Sequence, residues 1–245
     1  MGGRGSNSGI NKAQPTNTVL PNTGIQTPVV SQRNYKLRLD AQDEQDLQEV
    51  YDGYNINLIR AIQQYIRQDA QAGGYTMSQN MNHKLEEGLP LNANETLVYN
   101  RLMAGMHDFG RDAILYRAAH SDLLEAMGVK NYDRMTDAQL NAALTGIEYT
   151  EKKLVSTAWD QKKNPFIGGS QSGGREVYLR IKTPSNAKVV LGNMQQAEVI
   201  MARGTKYRVT GARFDTDSFG TRTMAYPRGG GAKPRVIVDV EILTK

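Results

Sequence analysis

The chain has 245 residues, a mass of 27.2 kDa, 39% hydrophobic residues and a mean hydropathy of −0.56. This length suffices for one large domain or two small ones, and no stretch approaches the roughly 20 apolar residues of a membrane-spanning helix. The absence of cysteine excludes disulfides, thiolate metal sites and a cysteine nucleophile. The three histidines lack the spacing of a metal-binding helix, and the N-terminus lacks the apolar segment of a standard secretion signal. We therefore expect a protein made in the cytoplasm, with no membrane partner.

Charge is distributed unevenly along the chain. Residues 1–36 carry four basic and no acidic side chains, residues 37–150 have a net charge of −8, and residues 151–245 have a net charge of +9. A basic second half favours an anionic partner, which is a phosphate-bearing cofactor, a nucleic acid or an acidic protein. Mutual attraction between the two halves explains the asymmetry equally well, so charge alone does not identify the partner.

The first half of the chain is predicted to be helical after an N-terminal arm. Residues 1–36 mix Gly, Ser, Asn, Thr and Pro without apolar periodicity, which predicts a disordered arm. Residues 37–110 form a helical lead-in. Within it, apolar side chains at helical spacing over 47–66 predict one long helix or two helices broken near Asn55.

The second half is predicted to be rich in strands. A helix over about 95–106, with Asn94 as its N-cap, precedes a short buried strand at 113–117 and two short helices at 121–127 and 137–144. Further strands, separated by Gly, Pro and Asn turns, are predicted at 153–157, 176–182, 187–191, 198–202, 206–213 and 235–243. This order predicts an α+β fold in which a helical first half packs on a β-rich second half.

Three short segments carry the candidate chemistry, and no Walker A, GxGxxG or GxSxG motif competes with them. They are Leu115-Tyr116-Arg117-Ala118, then Leu154-Val155-Ser156-Thr157-Ala158, then Gln196-Ala197-Glu198 leading into V-I-M-A-R-G-T-K-Y. In this order they resemble the Arg / Ser-Thr-Ser / (Glu or Gln)-x-Glu signature of mono-ADP-ribosyltransferases of the bacterial exoenzyme toxin type. That family includes Rho-modifying clostridial exoenzymes and the catalytic chains of binary actin-modifying toxins.

The resemblance covers about residues 40–245 and implies one ADP-ribosyltransferase domain over 37–245. Its NAD-binding core, over 111–245, is expected to hold two small sheets. Ala158 departs from the family pattern, which has a third serine or threonine at that position. The implied chemistry is transfer of ADP-ribose from NAD, as a substrate, without a metal.

The resemblance also assigns roles to individual residues. The implied catalytic residues are Glu198, Gln196 and Ser156, and the implied NAD contacts are Arg117, Ala118, Ser156, Thr157, Phe166 and Glu198. The residue types suit this chemistry, because an arginine fork matches pyrophosphate oxygens and a carboxylate stabilises an oxocarbenium-like centre. On a strand, alternation would place Gln196 and Glu198 on one face, with Gln196 positioning the acceptor.

Several alternatives stay open at this point. A NAD glycohydrolase on the same fold would use water as acceptor, and a non-catalytic module of a phage particle would not bind NAD. The expected acceptor is a protein of unknown identity. Gln196 argues against an arginine acceptor and toward asparagine or glutamine on a protein, or guanine in nucleic acid. Nucleic acid is the less favoured acceptor, because the basic half lacks a face of clustered basic and aromatic residues. The expected site of action is cytoplasmic, in the host cell if a phage encodes the chain.

Overall fold

The computed structural model describes residues 33–69, 74–163, 174–227 and 230–243. The helices in these ranges are α1 (Ala41–Asp52), α2 (Ile56–Ile66), α3 (Met77–Glu87), α4 (Ala93–Ala104), α5 (Asp122–Ala126) and α6 (Asp137–Leu144). The strands are β1 (His107–Asp108), β2 (Ala113–Ala119), β3 (Glu148–Thr150), β4 (Val155–Ala158), β5 (Val177–Thr183), β6 (Lys188–Leu191), β7 (Glu198–Met201), β8 (Lys206–Phe214), β9 (Met224–Ala225), β10 (Lys233–Pro234) and β11 (Val236–Ile242). None of the helices in these described ranges is both long and apolar enough for a membrane span.

Side-chain caps decide where the helices of the first half begin. Asn55 caps α2 by accepting a hydrogen bond from an amide in its first turn, so the predicted break near this residue is confirmed. The predicted cap of α4 at Asn94 is wrong. Asn92 is the cap, because it stands three residues before Glu95 and the two form a reciprocal capping box.

Helix α3 was not predicted from the sequence. Thr76 caps its start, and Gly88 ends it in the left-handed conformation at φ +70°. Its buried apolar side chains are Met77, Met81 and Leu85, four residues apart. They stand among eight polar residues, so the apolar period is too weak to indicate a helix in the sequence.

The α+β class is confirmed, and nine of the strands form one continuous sheet. Their order is β1-β6-β7-β4-β2-β5-β11-β8-β3, while β9 and β10 form a separate ribbon. Among the residues that the structure describes, the pairing of Tyr116 with Ala158 is the one that joins the four strands β1, β6, β7 and β4 to the other five. The two small sheets implied by the resemblance are therefore a four-stranded part and a five-stranded part, linked at one residue pair.

The four-stranded part lies between two hydrophobic clusters. On one face, its side chains join the main core with residues of the five-stranded part; examples are Val155 and Val199 with Leu115, Leu179 and Val238. On the other face, Leu154, Val190 and Ile200 pack against α2, α3 and α4. The helical lead-in is thus a layer that covers one side of the four-stranded part.

Strand register decides which residues meet that helical layer. Ser156 pairs with Ile200, and Ala158 pairs with Glu198. Because side chains alternate along a strand and paired residues share a face, Ser156 and Glu198 lie on the helix-facing side. Thr157 lies on the opposite side, toward the main core.

The folded domain begins before residue 37. The Lys36 amide donates to the Asp112 carbonyl at 3.0 Å, and the Ile114 amide donates to the Lys36 carbonyl at 2.9 Å. The Lys36 ammonium also forms an ion pair with Asp43 at 2.7 Å. Lys36, which composition assigned to the arm, is therefore part of the domain.

Two N-terminal truncations separate the arm from the domain. Deleting residues 1–32 is expected to leave thermal unfolding unchanged, because their composition supports no packed structure. Deleting residues 1–38 removes the contacts of Lys36 and the Leu37 carbonyl that accepts from the Tyr116 hydroxyl at 2.8 Å. We expect the longer deletion to lower the free energy of unfolding by about 2–3 kcal/mol, measured by urea titration. Equal stability of the two truncated proteins would contradict this boundary.

Candidate active site

The Glu198 carboxylate lies on the helix-facing side of the sheet and is the centre of the candidate site. Glu198 begins β7 and is partly buried. Its Oε2 accepts a hydrogen bond from the Asn193 backbone amide at 3.0 Å, and Ser156 lies on the same face of the adjacent strand β4. Burial raises the pKa of Glu198, and the Asn193 amide and Ser156 oppose the rise. The carboxylate is therefore held in a fixed position.

Room for this carboxylate exists because residue 192 is glycine. A Cβ on Gly192 would lie 2.5 Å from Glu198 Oε2 and 2.9 Å from Glu198 Cγ. The Gly192 amide also donates to the Glu198 carbonyl at 2.9 Å, which fixes the backbone beside the side chain. The sequence indicated only a turn here, so the steric role of Gly192 and the amide of Asn193 were both missed.

Gln196 is close to Glu198 in sequence but does not share its strand. It lies in the 3₁₀ turn Met194–Gln196 and is partly exposed. Ala197 follows in the left-handed conformation at φ +52°, which interrupts the extended backbone before β7 begins. The expectation that strand alternation puts Gln196 and Glu198 on one face is therefore wrong.

Two helical side chains lie behind Ser156. Tyr65 of α2 is 1% exposed, and burial raises its pKa while Asn82 and Ser156 oppose the rise. The Asn82 side-chain amide of α3 donates to the Tyr65 hydroxyl at 3.0 Å, and its oxygen accepts from the Leu154 amide at 3.2 Å. The sequence indicated Tyr65 only as an apolar helical position, and it gave no signal for Asn82.

Arg117 lies on β2, where its side chain is 19% exposed. Its Nη1 donates to Oε1 of Glu151 at 2.7 Å, and Glu151 is 4% exposed. Burial and the nearby charge of Arg117 lower the pKa of Arg175, a residue that the sequence analysis did not single out. Burial raises the pKa of Tyr65, and the charges of Glu198 and Arg117 act on that pKa in opposite directions.

The other predicted site residues have different outcomes. Thr157 donates its hydroxyl to the Val199 carbonyl at 2.9 Å and is 1% exposed, and its contact with NAD stays a prediction. Ala118 is partly buried on β2, paired with Tyr178. Phe166 lies outside the described residues. Over the ranges that the structure describes, no three His, Asp or Glu side chains are grouped to hold a metal ion.

Comparisons with known proteins find a matching sequence family and similar solved structures. A family model described as ADP-ribosyltransferase exoenzyme matches residues 44–244. Plx2a, an ADP-ribosyltransferase toxin from Paenibacillus larvae, is 15% identical, with a TM-score of 0.57 and coverage of 86% of this chain and 100% of Plx2a. C3stau2 from S. aureus, solved with NAD, is 15% identical, with a TM-score of 0.56 and coverage of 87% and 100%.

A third similar structure belongs to a larger protein. The enzymatic component C2-I of the C2 toxin from Clostridium botulinum is 12% identical, with a TM-score of 0.59, and the match covers 85% of this chain and 50% of C2-I. No curated protein matches the sequence at a significant level. The chain thus spans the whole of Plx2a and C3stau2 and half of C2-I.

Replacing Gly192 by alanine tests the geometry around the carboxylate. In Gly192→Ala, Glu198 must move because the new methyl group occupies its place, and it loses the Asn193 amide. Loss of a hydrogen bond to an ionised group should raise the pKa of Glu198 by about one unit, measured by NMR titration of ¹³C-labelled glutamate carboxyls.

Gly211→Ala is the matched control. A Cβ there meets nothing closer than 3.5 Å, so we expect the pKa of Glu198 to stay unchanged. An unchanged pKa in Gly192→Ala as well would show that Gly192 does not set the position of the carboxylate.

Proposed function

Because the chain belongs to the ADP-ribosyltransferase exoenzyme family, we propose that it moves ADP-ribose from NAD to a side chain of a target protein and releases nicotinamide. The observation that carries the proposal is the Glu198 carboxylate, which is partly buried and held by the Asn193 amide and Ser156. We further propose that the protein is a toxin or phage effector that acts in the cytoplasm of a host cell.

In this reaction the bond between C1′ of the ribose and the nicotinamide nitrogen breaks. The electron pair leaves with nicotinamide and neutralises its ring charge, and the ribose becomes oxocarbenium-like. A nucleophilic atom of the acceptor then forms a bond to C1′ and loses its proton. Glu198 has the charge to stabilise the cationic ribose and to accept a hydrogen bond from a ribose hydroxyl.

Two arginines are the proposed clamp for the NAD pyrophosphate. Arg117 donates Nη1 to Glu151, and a guanidinium has further N–H donors for phosphate oxygens. Arg175 lies near enough that the charge of Arg117 lowers its pKa. Two like charges repel each other, and a bound anion removes that cost. Ala118, which follows Arg117 in the sequence, is proposed to contact NAD beside this clamp. Phe166 is proposed to contact the nicotinamide ring of NAD.

Gln196 is the proposed contact for the acceptor. Its turn directly precedes Glu198, so a protein that approaches the ribose meets the turn at the same time. An amide donates and accepts hydrogen bonds but does not act as a base. We therefore favour an asparagine or glutamine acceptor on a protein, with a nucleobase as the less favoured choice.

The runner-up function is NAD hydrolysis on the same fold, with water as acceptor. A non-catalytic phage-particle module is the third candidate. The position of Gln196 in a partly exposed turn favours transfer, because hydrolysis does not need a polar contact for an acceptor. Release of nicotinamide without labelling of any protein would support hydrolysis, and no binding of NAD would support the third candidate.

Glu198→Gln is the direct test of the catalytic assignment. The protein is incubated with NAD labelled in its adenylate part and a cell lysate, and the labelled bands are resolved by mass. We expect the natural protein to label a protein band and Glu198→Gln to lose about 10²–10³-fold in rate, because the charge facing the ribose is gone. A variant that keeps more than about a tenth of the rate would contradict the assignment.

The same variant has a predicted effect on stability. Burial raises the pKa of Glu198 in the folded protein, so folding binds a proton and the stabilising contribution of the protonated group is lost as pH rises through the folded pKa. Ionised Glu198 therefore costs stability at neutral pH. We expect Glu198→Gln to unfold at the same or a higher temperature than the natural protein, which separates lost chemistry from lost folding.

Gln196→Glu tests the assignment of acceptor preference. A carboxylate pairs with a guanidinium, so the variant should modify the arginine analogue agmatine faster than the natural protein does. Product formation is followed by chromatography, and Gln195→Glu, on the exposed neighbouring residue, is the matched control. Efficient modification of agmatine by the natural protein would show that the amide does not exclude arginine.

A further inference from the structure

We infer that Tyr54 and His107 are positioning residues, which fix the end of β6 and, through it, the turn whose amide holds Glu198. Tyr54 lies in the connection between α1 and α2, and His107 begins β1. The inference rests on the proposed function, because it concerns how the proposed catalytic carboxylate is held. It gives the helical lead-in a part in the reaction.

The Leu191 amide needs an acceptor that pairing between strands does not supply. The next amide, of Gly192, donates to the Glu198 carbonyl on the β7 side at 2.9 Å. Because N–H groups alternate between the two edges of a strand, the Leu191 amide faces the opposite edge of β6, on the side of β1. Among the described residues, the pairing of β6 with β1 stops at Val189, whose partner is His107. Leu191 is 0% exposed, so water does not replace the missing strand as a partner for its amide.

The Tyr54 hydroxyl is that acceptor. The Leu191 amide donates to its oxygen at 3.0 Å. The Tyr54 side chain packs against both hydrophobic clusters, and a phenylalanine would fill nearly the same space without the hydroxyl. Burial raises the pKa of Tyr54 to about 12, so the hydroxyl keeps its proton at neutral pH and has a hydrogen bond to donate. The helical lead-in therefore places a polar group beside the amide at the end of β6.

His107 accepts that hydrogen bond and fixes the direction of the hydroxyl. Its Nδ1 lies 2.8 Å from the Asp108 carbonyl oxygen, which only accepts, so Nδ1 carries a proton. In the neutral ring Nε2 is then an acceptor, and the Tyr54 hydroxyl lies 2.6 Å from it. The hydroxyl thus donates to His107 and accepts from Leu191, and both partners hold it in one orientation.

The backbone carries this effect from Leu191 to the carboxylate. Two residues after Leu191, the Asn193 amide donates to Glu198 Oε2 at 3.0 Å. The intervening backbone lies so close to the carboxylate that a Cβ on Gly192 would be 2.5 Å from the same oxygen. A backbone this close does not shift without changing the Asn193 hydrogen bond. Tyr54 therefore acts on the carboxylate through the end of β6.

Hydrogen exchange and an NMR titration test the inference directly. In Tyr54→Phe the Leu191 amide loses its acceptor, so we expect its exchange with solvent to become about tenfold faster. The Asn193 hydrogen bond should weaken, which raises the NMR-measured pKa of Glu198 by about half a unit. Tyr116→Phe is the matched control, because it removes a buried tyrosine hydroxyl that donates to a backbone carbonyl in another part of the fold. We expect neither quantity to change in the control.

Activity supplies a second readout. Tyr54→Phe and His107→Leu, singly and together, are assayed for nicotinamide release from NAD. We expect Tyr54→Phe to lower kcat about three- to tenfold with KM for NAD unchanged, because the change affects the carboxylate and not the binding of NAD. His107→Leu should cost less and add little to Tyr54→Phe, because His107 acts through the Tyr54 hydroxyl. His107→Gln, which keeps an acceptor, should retain more activity than His107→Leu.

Each possible failure has a distinct meaning. If Tyr54→Phe leaves the Leu191 exchange rate or the pKa of Glu198 unchanged, or if the losses of the two variants are additive, the inference is wrong and the proposed function stands. If the natural protein releases no nicotinamide, the proposed function fails, and the exchange and titration measurements still decide the inference. If Tyr54→Phe does not fold, the same measurements on His107→Leu decide it.

Discussion

The rest of the site depends on one constraint, which is that an acidic side chain must stay fixed and able to ionise in a partly buried position. Burial of Glu198 opposes the ionisation of its carboxyl group, and hydrogen bonds to the carboxylate offset part of the cost of burying the charge. The Asn193 amide supplies one, Ser156 also opposes the raised pKa, and the missing side chain of Gly192 leaves room for the carboxylate. Small changes in the backbone around residues 192 and 193 therefore change the position and the pKa of the Glu198 carboxylate.

The architecture follows from this constraint. The four-stranded part of the sheet places Ser156 beside Glu198, and its opposite face belongs to the main core, which makes that surface rigid. The helical lead-in covers the other face, where Tyr65 packs in one cluster with Leu154 and Ile200. Arg117 lies on the five-stranded part, across the single residue pair that joins the two parts. The chain belongs to the ADP-ribosyltransferase exoenzyme family.

Much of the fold could be predicted from the sequence, because the local patterns of apolar residues agree with the helices and strands of the structure. The cap at Asn55 and the alternating apolar residues of the later strands gave most helix and strand positions correctly. Ser156 and Glu198 lie on adjacent strands, as the motif implied. Asn82 and Gly192 gave no signal, since their roles arise only when distant segments meet. Gln196 was misplaced because it lies in a 3₁₀ turn that ends at Ala197 in the left-handed conformation, and the sequence pattern does not show this turn.

A structure of the protein with NAD bound, determined with the Glu198→Gln variant to slow turnover, tests the central claim most directly. We expect the nicotinamide ribose to lie against residue 198, with a ribose hydroxyl within hydrogen-bond distance of its side chain. We also expect the pyrophosphate to contact Arg117 and Arg175. NAD bound elsewhere, or NAD whose ribose does not approach residue 198, would contradict the role of Glu198.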